Sequence, residues 1–299
     1  MAKFSTLQIN VASDQAAIGI QKHIPKISLF AKSFSGRPGQ PYNGVAVPIF
    51  SNLSGVSTYT TQGAGASDLL TDKYCSGEQL EGAVIPLDKL FVKSYALTDY
   101  EVGTTDNLYL ADGARAIGDQ LGLEVANYVF SNVLSSNEIT ATTSLTALTD
   151  KAGFANLFAA AANAGANPYD CVLALDPTTF AKLLGTLDSY VYGGPEAIRD
   201  GVVPGLYGFR GVVCAPTLPA ALSGGGGFII PWESIGVAAR WNKPAVDGYE
   251  ASWAAQDEKT GMAVGFRVFE NLCKGAAYMA GDVLFGAKLI APEKIVKIA

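Results

Sequence analysis

The groups able to do chemistry in this chain are few in kind: one histidine, four cysteines and 27 carboxylates. His23 stands in a basic, proline-flanked stretch, "QKHIPK", with no acid or nucleophile close to it in sequence. A structural role is expected for it rather than work as a general base. The cysteines fall at 75, 171, 214 and 273, with no CxxC pair. A zinc site of the usual kind needs clustered Cys and His, and none is expected. Cys171 and Cys214 lie in apolar, strand-like runs and read as inert core thiols; Cys75, in a polar loop, is the one expected to be exposed. The glycine run "SGGGG" (223–227) has the backbone of a phosphate cradle. It lacks the Lys-Ser/Thr of a P-loop and does not lead into a helix, so it reads as a loop tip. Paired-carboxylate catalysis needs two acids held together, and no motif here juxtaposes a pair. No catalytic residue, cofactor or metal is therefore expected.

The elements that would carry these groups belong to an unusually apolar chain. Hydrophobic residues make up 49% and charged residues 16% of 299, against about 25% charged in an ordinary soluble protein. Such a composition fits a membrane protein, a very large core, or a surface buried by partners. Run length argues against the membrane, because a spanning helix needs about 20 consecutive apolar residues and stretches such as "GFIIPW" (227–232) are far shorter. The first fifteen residues have no apolar core of signal-peptide length. The chain is expected to be cytosolic when made, and its start at Met1 leads us to expect no removed leader or pro-segment.

Charge is unevenly spread about a net of −6. Residues 1–37 carry Lys3, Lys22, Lys26, Lys32 and Arg37 against Asp14. Residues 98–138 carry Asp99, Glu101, Asp106, Asp112, Asp119, Glu124 and Glu138 against Arg115. The two regions are either separate solvated faces or in mutual contact, within one chain or between copies. The charged tip "DEKTG" (257–261) holds both signs in Asp257, Glu258 and Lys259. It reads as a solvated turn or as a cluster able to pair with its own symmetry copies around a three-fold axis.

Along the chain, residues 1–44 look like an arm, broken by Pro25, Pro38 and Pro41, with little periodicity. Residues 45–61 and 82–98 are rich in Val, Ile, Phe, Tyr and Thr and predict strands. Jointly they read as one long hairpin of roughly 55 Å, too long for its own chain to support. Residues 104–136 predict a helix, since Leu110, Ala114, Ile117, Leu121, Val125 and Tyr128 share a face. Gly113, Gly118 and Gly122 lower its propensity by about 1 kcal/mol each relative to Ala, which points to close packing or a bend. Residues 144–243 alternate between helix and strand: helices at 150–165 and 176–185 (the latter capped by Asp176), a short helical piece at 194–201, and strands at 169–175, 209–215 and 227–241. Residues 244–299 return to strands, ending on a strand pair.

The order of these parts resembles the major capsid proteins of tailed bacteriophages with the HK97-type fold. The stretches that carry the likeness are "IRDGVVPGLYGFRGVVCAPTLP" (198–219), "IPWESIGVAARW" (230–241) and "TGMAVGFRVFENLCKGAAYMAGDVLFGAKLIAPEKIVKI" (260–298). The resemblance implies an α+β fold with an N-terminal arm (1–44), an extended E-loop hairpin (45–98), a P-domain spine helix (99–143), an α/β A-domain (144–243), and P-domain strands with the C-terminus (244–299). It implies E-loop tip residues Asp68, Asp72, Lys73 and Glu78. Leu218, Ser223, Gly224 and Gly225 would lie on the loop near the capsomer axis, and Asp257, Glu258 and Lys259 near the three-fold axis. Asp112, Asp119 and Glu124 would form an acidic face of the spine helix, and Lys22, Lys26, Lys32 and Arg37 the basic side of the arm.

The function so implied is structural: self-assembly into the hexamers and pentamers of an icosahedral virion shell around double-stranded DNA, after synthesis in the host bacterial cytoplasm. Portal, decoration or cement protein and separate scaffolding protein are the implied partners, because the arm is too short to be a cleaved scaffolding segment. No membrane is involved. An encapsulin-type nanocompartment shell, which shares the fold but encloses enzymes, is the nearest alternative. A soluble α/β enzyme is the other, and its convergent polar pocket is not found in the sequence.

Overall fold

A computed structural model describes residues 6–35, 44–49, 81–98, 107–144, 151–186, 202–206, 208–222, 225–240, 250–255, 261–271 and 276–299. The chain begins with α1 (Thr6–Ile20), α2 (Ile24–Ser28) and β1 (Ala31–Ser33). This corrects the expectation of an arm without regular structure. The apolar face of α1 is built mostly from alanine, with Ala12, Ala16 and Ile20 buried, a weak signal beside the prolines further along.

Next come β2 (Val45–Ile49), β3 (Glu81–Ile85) and β4 (Lys89–Thr98). β2 pairs antiparallel with β3, Val45 opposite Ile85 and Ile49 opposite Glu81. The chain breaks step at Pro86, where an amide donor is missing. β4 then leaves the hairpin and pairs with β13 (Ala276–Leu289) along its own sheet, from Lys89–Phe285 to Thr98–Ala276. The expected pairing of 82–98 as one arm of a long hairpin is thus corrected: only 81–85 pairs with 45–49, and residues 50–80 lie outside the described residues. The hairpin base is seated on its own chain through Val45, Val47, Ile85 and Leu87 against Phe34, Ala238 and Leu284.

The long helix α3 (Asn107–Asn127) follows and continues through a π-helical turn (Tyr128–Asn132) and a 3-10 turn (Val133–Ser135). Leu110, Ala114, Ile117, Leu121 and Val125 are buried, as their spacing predicts. Its glycines mark close approach. A Cβ on Gly118 would stand 1.8 Å from the Ala16 carbonyl oxygen, and one on Gly113 would stand 2.2 Å from the Tyr95 hydroxyl.

Beyond β5 (Ala141–Thr143), helix α4 (Lys151–Asn163), β6 (Cys171–Leu175), helix α5 (Pro177–Thr186), β7 (Val202–Leu206), β8 (Phe209–Cys214) and β9 (Gly227–Pro231) build the second half. β7 and β8 pair antiparallel, Leu206 opposite Phe209. The predicted helical piece at 194–201 lies outside the described residues. The single strand predicted over 227–241 is two, β9 and β10 (Ile235–Arg240), parted by the turn at Trp232–Ser234. The predicted terminal strand pair is likewise corrected, because β13 and β14 (Val296–Ile298) belong to different sheets.

Two sheets result. One runs β1-β10-β13-β12-β11, with β11 spanning Glu250–Ala255, β12 spanning Ala263–Asn271, and β4 also on β13. The other runs β5-β14-β9-β6-β8-β7. α3 covers one face of the first sheet, with Ile117 and Leu121 against Gly281, and α1 packs beside it. The second sheet is covered on one face by Phe154, Leu157, Phe180 and Leu183 of its helices. Its other face presents Val172, Ala174, Val213, Phe228 and Ile230 to the cluster holding Val129, Phe130 and Leu134 at the end of the long helix. Burial on both faces explains why β6 is an unbroken apolar run.

Candidate functional site

Among the described residues, three places stand out for their polar side chains. The first is where the N-terminal segment meets α3. His23 Nε2 lies 3.1 Å from Asp119 Oδ1, and Lys22 Nζ lies 3.2 Å from the same oxygen. Burial outweighs the pull of Asp119 and, with Lys26 and Lys22 nearby, holds the imidazole below its ordinary pKa. Asp119 is itself half-buried, which opposes ionisation, but Lys22 and His23 bring its pKa below the usual carboxylate value. The acid partner of His23 is 96 residues away in sequence, so nothing near His23 announces it. The basic segment and acidic helix do touch, and within one chain. Lys32 is also paired, with Glu233 at 2.6 Å. Glu233 occupies the turn between the two sheets at φ 65°, and its N–H donates to Phe30 O at 3.0 Å.

The second place is the glycine loop. Asp176 precedes α5, and its carboxylate accepts from the N–H groups of Thr178, Thr179 and Gly226. Burial acts to raise its pKa, yet these hydrogen bonds carry it below the ordinary value. Gly226 stands at φ 142°, and a Cβ there would meet Ile298 O at 2.5 Å. The run therefore ends as a fitted wedge against β14, while Ser223 and Gly224 lie outside the described residues. Leu218 packs half-buried on the central core, and Gly225 takes φ 130°.

The third is a cleft of about 660 Å³ between β4 and α3, lined by Lys93, Ser94, Tyr95, Asp112, Gly113, Ala116, Ile117 and Gln120. It offers one carboxylate and one amine. Its phenol, Tyr95, is pushed up to about 12 by burial and donates to Met279 Sδ at 3.5 Å. This lining has no acid pair and no activated nucleophile. Among the described residues no cluster of three His, Cys, Asp or Glu could hold a metal. The Cys171 thiol is buried and pushed up to about 12, and burial also raises Cys214. Neither is a thiolate at neutral pH.

Of the remaining expected positions, Asp112 and Glu124 are exposed. They do not form one face with Asp119, because at about 100° per residue Glu124 is turned well away from both. Asp68, Asp72, Lys73 and Glu78, Asp257, Glu258 and Lys259, Arg37, Cys75 and Cys273 all lie outside the described residues. The Arg267–Asp282 pair, joined at 2.7 Å with Asp282 buried, was not anticipated; Arg267 stands opposite Ala280, two residues from Asp282 on the neighbouring strand, which only strand pairing reveals. Among the described residues no helix is long and apolar enough to cross a membrane.

No family model matches the sequence, and no curated protein matches it. Solved structures do match the fold. A structure from Mycobacterium phage Che8 is 12% identical with a TM-score of 0.51, covering 90% of this chain and 89% of that one. One from Gordonia phage Cozz is 15% identical at 0.51, covering 92% and 85%. The virus-like particle from Pyrococcus furiosus is 14% identical at 0.51, covering 96% and 97%. The chain shares its fold with these phage structures and with the virus-like particle.

Proposed function

We propose that this chain is a structural shell subunit: a phage major capsid protein whose copies assemble as hexamers and pentamers into an icosahedral head around double-stranded DNA. The observation that carries this reading is a shared fold over about nine-tenths of the chain with structures from two phages. The polar clusters support a structural role, since each ties elements of the chain together. The low charge, 16%, fits a subunit that buries large apolar interfaces with its neighbours.

In this reading residues 50–80, which depart and return at the paired ends Ile49 and Glu81, form the E-loop over a neighbouring subunit. Asp68, Asp72, Lys73 and Glu78 stand toward its tip. The loop from Leu218 through Ser223, Gly224 and Gly225 faces the capsomer axis, and Asp257, Glu258 and Lys259 meet their copies at the three-fold. Scaffolding, portal and decoration proteins are the partners of such a shell. The full-length chain expressed alone or with its scaffolding protein, purified and imaged by electron microscopy, is expected to show closed shells. A chain that stays monomeric at high concentration in both preparations overturns the reading.

The nanocompartment reading is favoured by one observation: the Pyrococcus furiosus virus-like particle is matched over 96% of this chain and 97% of its own. Contents decide between the two. Packaged nucleic acid and genome neighbours such as a portal and terminase support the phage head, and a co-purifying enzyme supports the compartment.

A further inference from the structure

We propose that His23 is a pH-sensitive latch, holding α1 and α2 on the long helix α3 at neutral pH and releasing them on acidification. His23 is the only histidine of the chain and sits in the turn between the two helices. Its ring edge faces the α1–α3 seam, where a Cβ on Gly122 would stand 3.1 Å from His23 Cδ2.

The two ring nitrogens differ. Nε2 meets Asp119 Oδ1 at 3.1 Å. Nδ1 is buried and has no hydrogen-bond partner among the described residues. In the neutral tautomer protonated at Nε2, the ring donates to Asp119 and leaves only a lone pair at Nδ1. A second proton would put an N–H donor at Nδ1 where no acceptor waits, and burying an unpaired charged donor is costly.

The charged groups facing the ring make matters worse for the imidazolium. Asp119 on α3 favours it, but Lys22 in the preceding turn already occupies the same carboxylate oxygen at 3.2 Å. Lys26 on α2 and Lys22 both repel a positive ring. The docked ring therefore titrates below its ordinary value, whereas an undocked, solvated ring titrates near 6.5. The released state binds the proton more readily. Docking is complete above about pH 6.5 and is lost progressively as pH falls from there through the docked value. Asp119, with its own pKa below the usual carboxylate value, stays charged across that window, so the response belongs to His23.

The released element is small. Ala12, Ala16 and Ile20 pack on a seam whose far side includes Gly118 and Gly122, while Leu173, Phe209 and Ile229, on the face of the second sheet covered by α4 and α5, belong to a separate cluster.

Hydrogen exchange of the full chain at pH 7.5 and pH 5.0, corrected for intrinsic rates, tests this. Opening of residues 6–28 is expected to rise on acidification, by up to about tenfold for each pKa unit separating the two states, with α4 and α5, whose buried residues lie in a separate cluster, unchanged. His23→Gln keeps a donor for Asp119 but does not titrate, and its opening is expected to be the same at both pH values. No rise in the wild-type chain, or an equal rise in the Gln variant, overturns the proposal. If the Gln variant is already undocked at pH 7.5, nuclear magnetic resonance titration of the wild-type ring decides: a midpoint below 6.5 that coincides with the loss of protection sustains the latch, and one at or above it refutes it.

Discussion

Asp176 and Gly226 hold each other by two hydrogen bonds: the Asp176 carboxylate accepts from the Gly226 N–H at 3.1 Å, and the Asp176 N–H donates to the Gly226 carbonyl at 3.1 Å. The same carboxylate caps α5 through Thr178 and Thr179. One side chain thereby fixes both the start of a helix and the entry of the glycine loop into β9.

Asp176→Ala removes a helix cap, which costs about 0.5–2 kcal/mol, and leaves the buried Gly226 N–H without its acceptor, at about 1–3 kcal/mol more. A loss of roughly 2–4 kcal/mol is expected in denaturant unfolding, whereas Asp176→Asn, which keeps an acceptor oxygen, is expected to lose less than half of that. The folded-state pKa is lowered, so the contribution of the carboxylate is complete above its unfolded value near 3.9 and disappears as pH falls through the folded one. The wild-type chain should therefore lose more stability than Asp176→Asn on acidification below about pH 4. Equal acid sensitivity of the two would remove the carboxylate from this role.

Two glycines should respond with opposite sign. Gly118→Ala places a methyl 1.8 Å from the Ala16 carbonyl oxygen. Overpacking of this kind costs about 1–3 kcal/mol, and here it pries α1 off α3. Gly185, near the end of α5, has nothing among the described residues within 4 Å of its added Cβ, so Gly185→Ala should stabilise by about 0.4–1 kcal/mol through the unfolded state. Thermal unfolding of both variants checks the pair, and destabilisation by both would mean that the α5 end is tighter than its geometry shows.

What the sequence makes legible follows from how local each signal is. The α3 face, Leu110 to Val125, and the Asp176–Pro177 helix start are readable because the residues that decide them lie within a few turns. Helix α1 is not, because its contact face is alanine and its partner is glycine on a helix about a hundred residues away. Pro86 and the Pro231-Trp232-Glu233 turn both interrupt strands that look continuous by composition, and which sheet receives each half depends on partners distant in sequence. The same holds at the polar clusters. The charge asymmetry foretold that basic and acidic segments meet, but the particular pairs, Lys22 and His23 on Asp119 and Lys32 on Glu233, emerge only once helix and strand registers are set.

The hairpin base offers a clean separation of folding from assembly. Ile49 and Glu81 face each other in register, so replacing residues 50–80 with Asn-Gly closes the strands by a two-residue turn. Because β2, β3 and β4 pack on their own chain, the shortened protein is expected to keep its thermal transition and far-ultraviolet spectrum. If residues 50–80 reach over a neighbour, it should lose shells altogether and elute as a small species in size-exclusion chromatography. Shells of normal size from the shortened chain would show that those residues are not an assembly contact.

The last prediction concerns charge on the long helix. Asp112 and Glu124 are exposed on α3, while Asp119 is engaged by Lys22 and His23. If the exposed acids look into a shell, they weaken contact with phosphates, which bind through Lys and Arg. Asp112→Asn with Glu124→Gln should then raise the nucleic acid retained by purified shells, read as the ratio of absorbance at 260 to 280 nm, and the excess should fall as salt rises, since phosphate contacts release counterions. Asp119→Asn is a different experiment, because it takes away the partner of Lys22 and His23 and should loosen α1 whether or not nucleic acid is present. An unchanged absorbance ratio in the Asp112–Glu124 double variant at low salt would place both acids away from the packaged polymer.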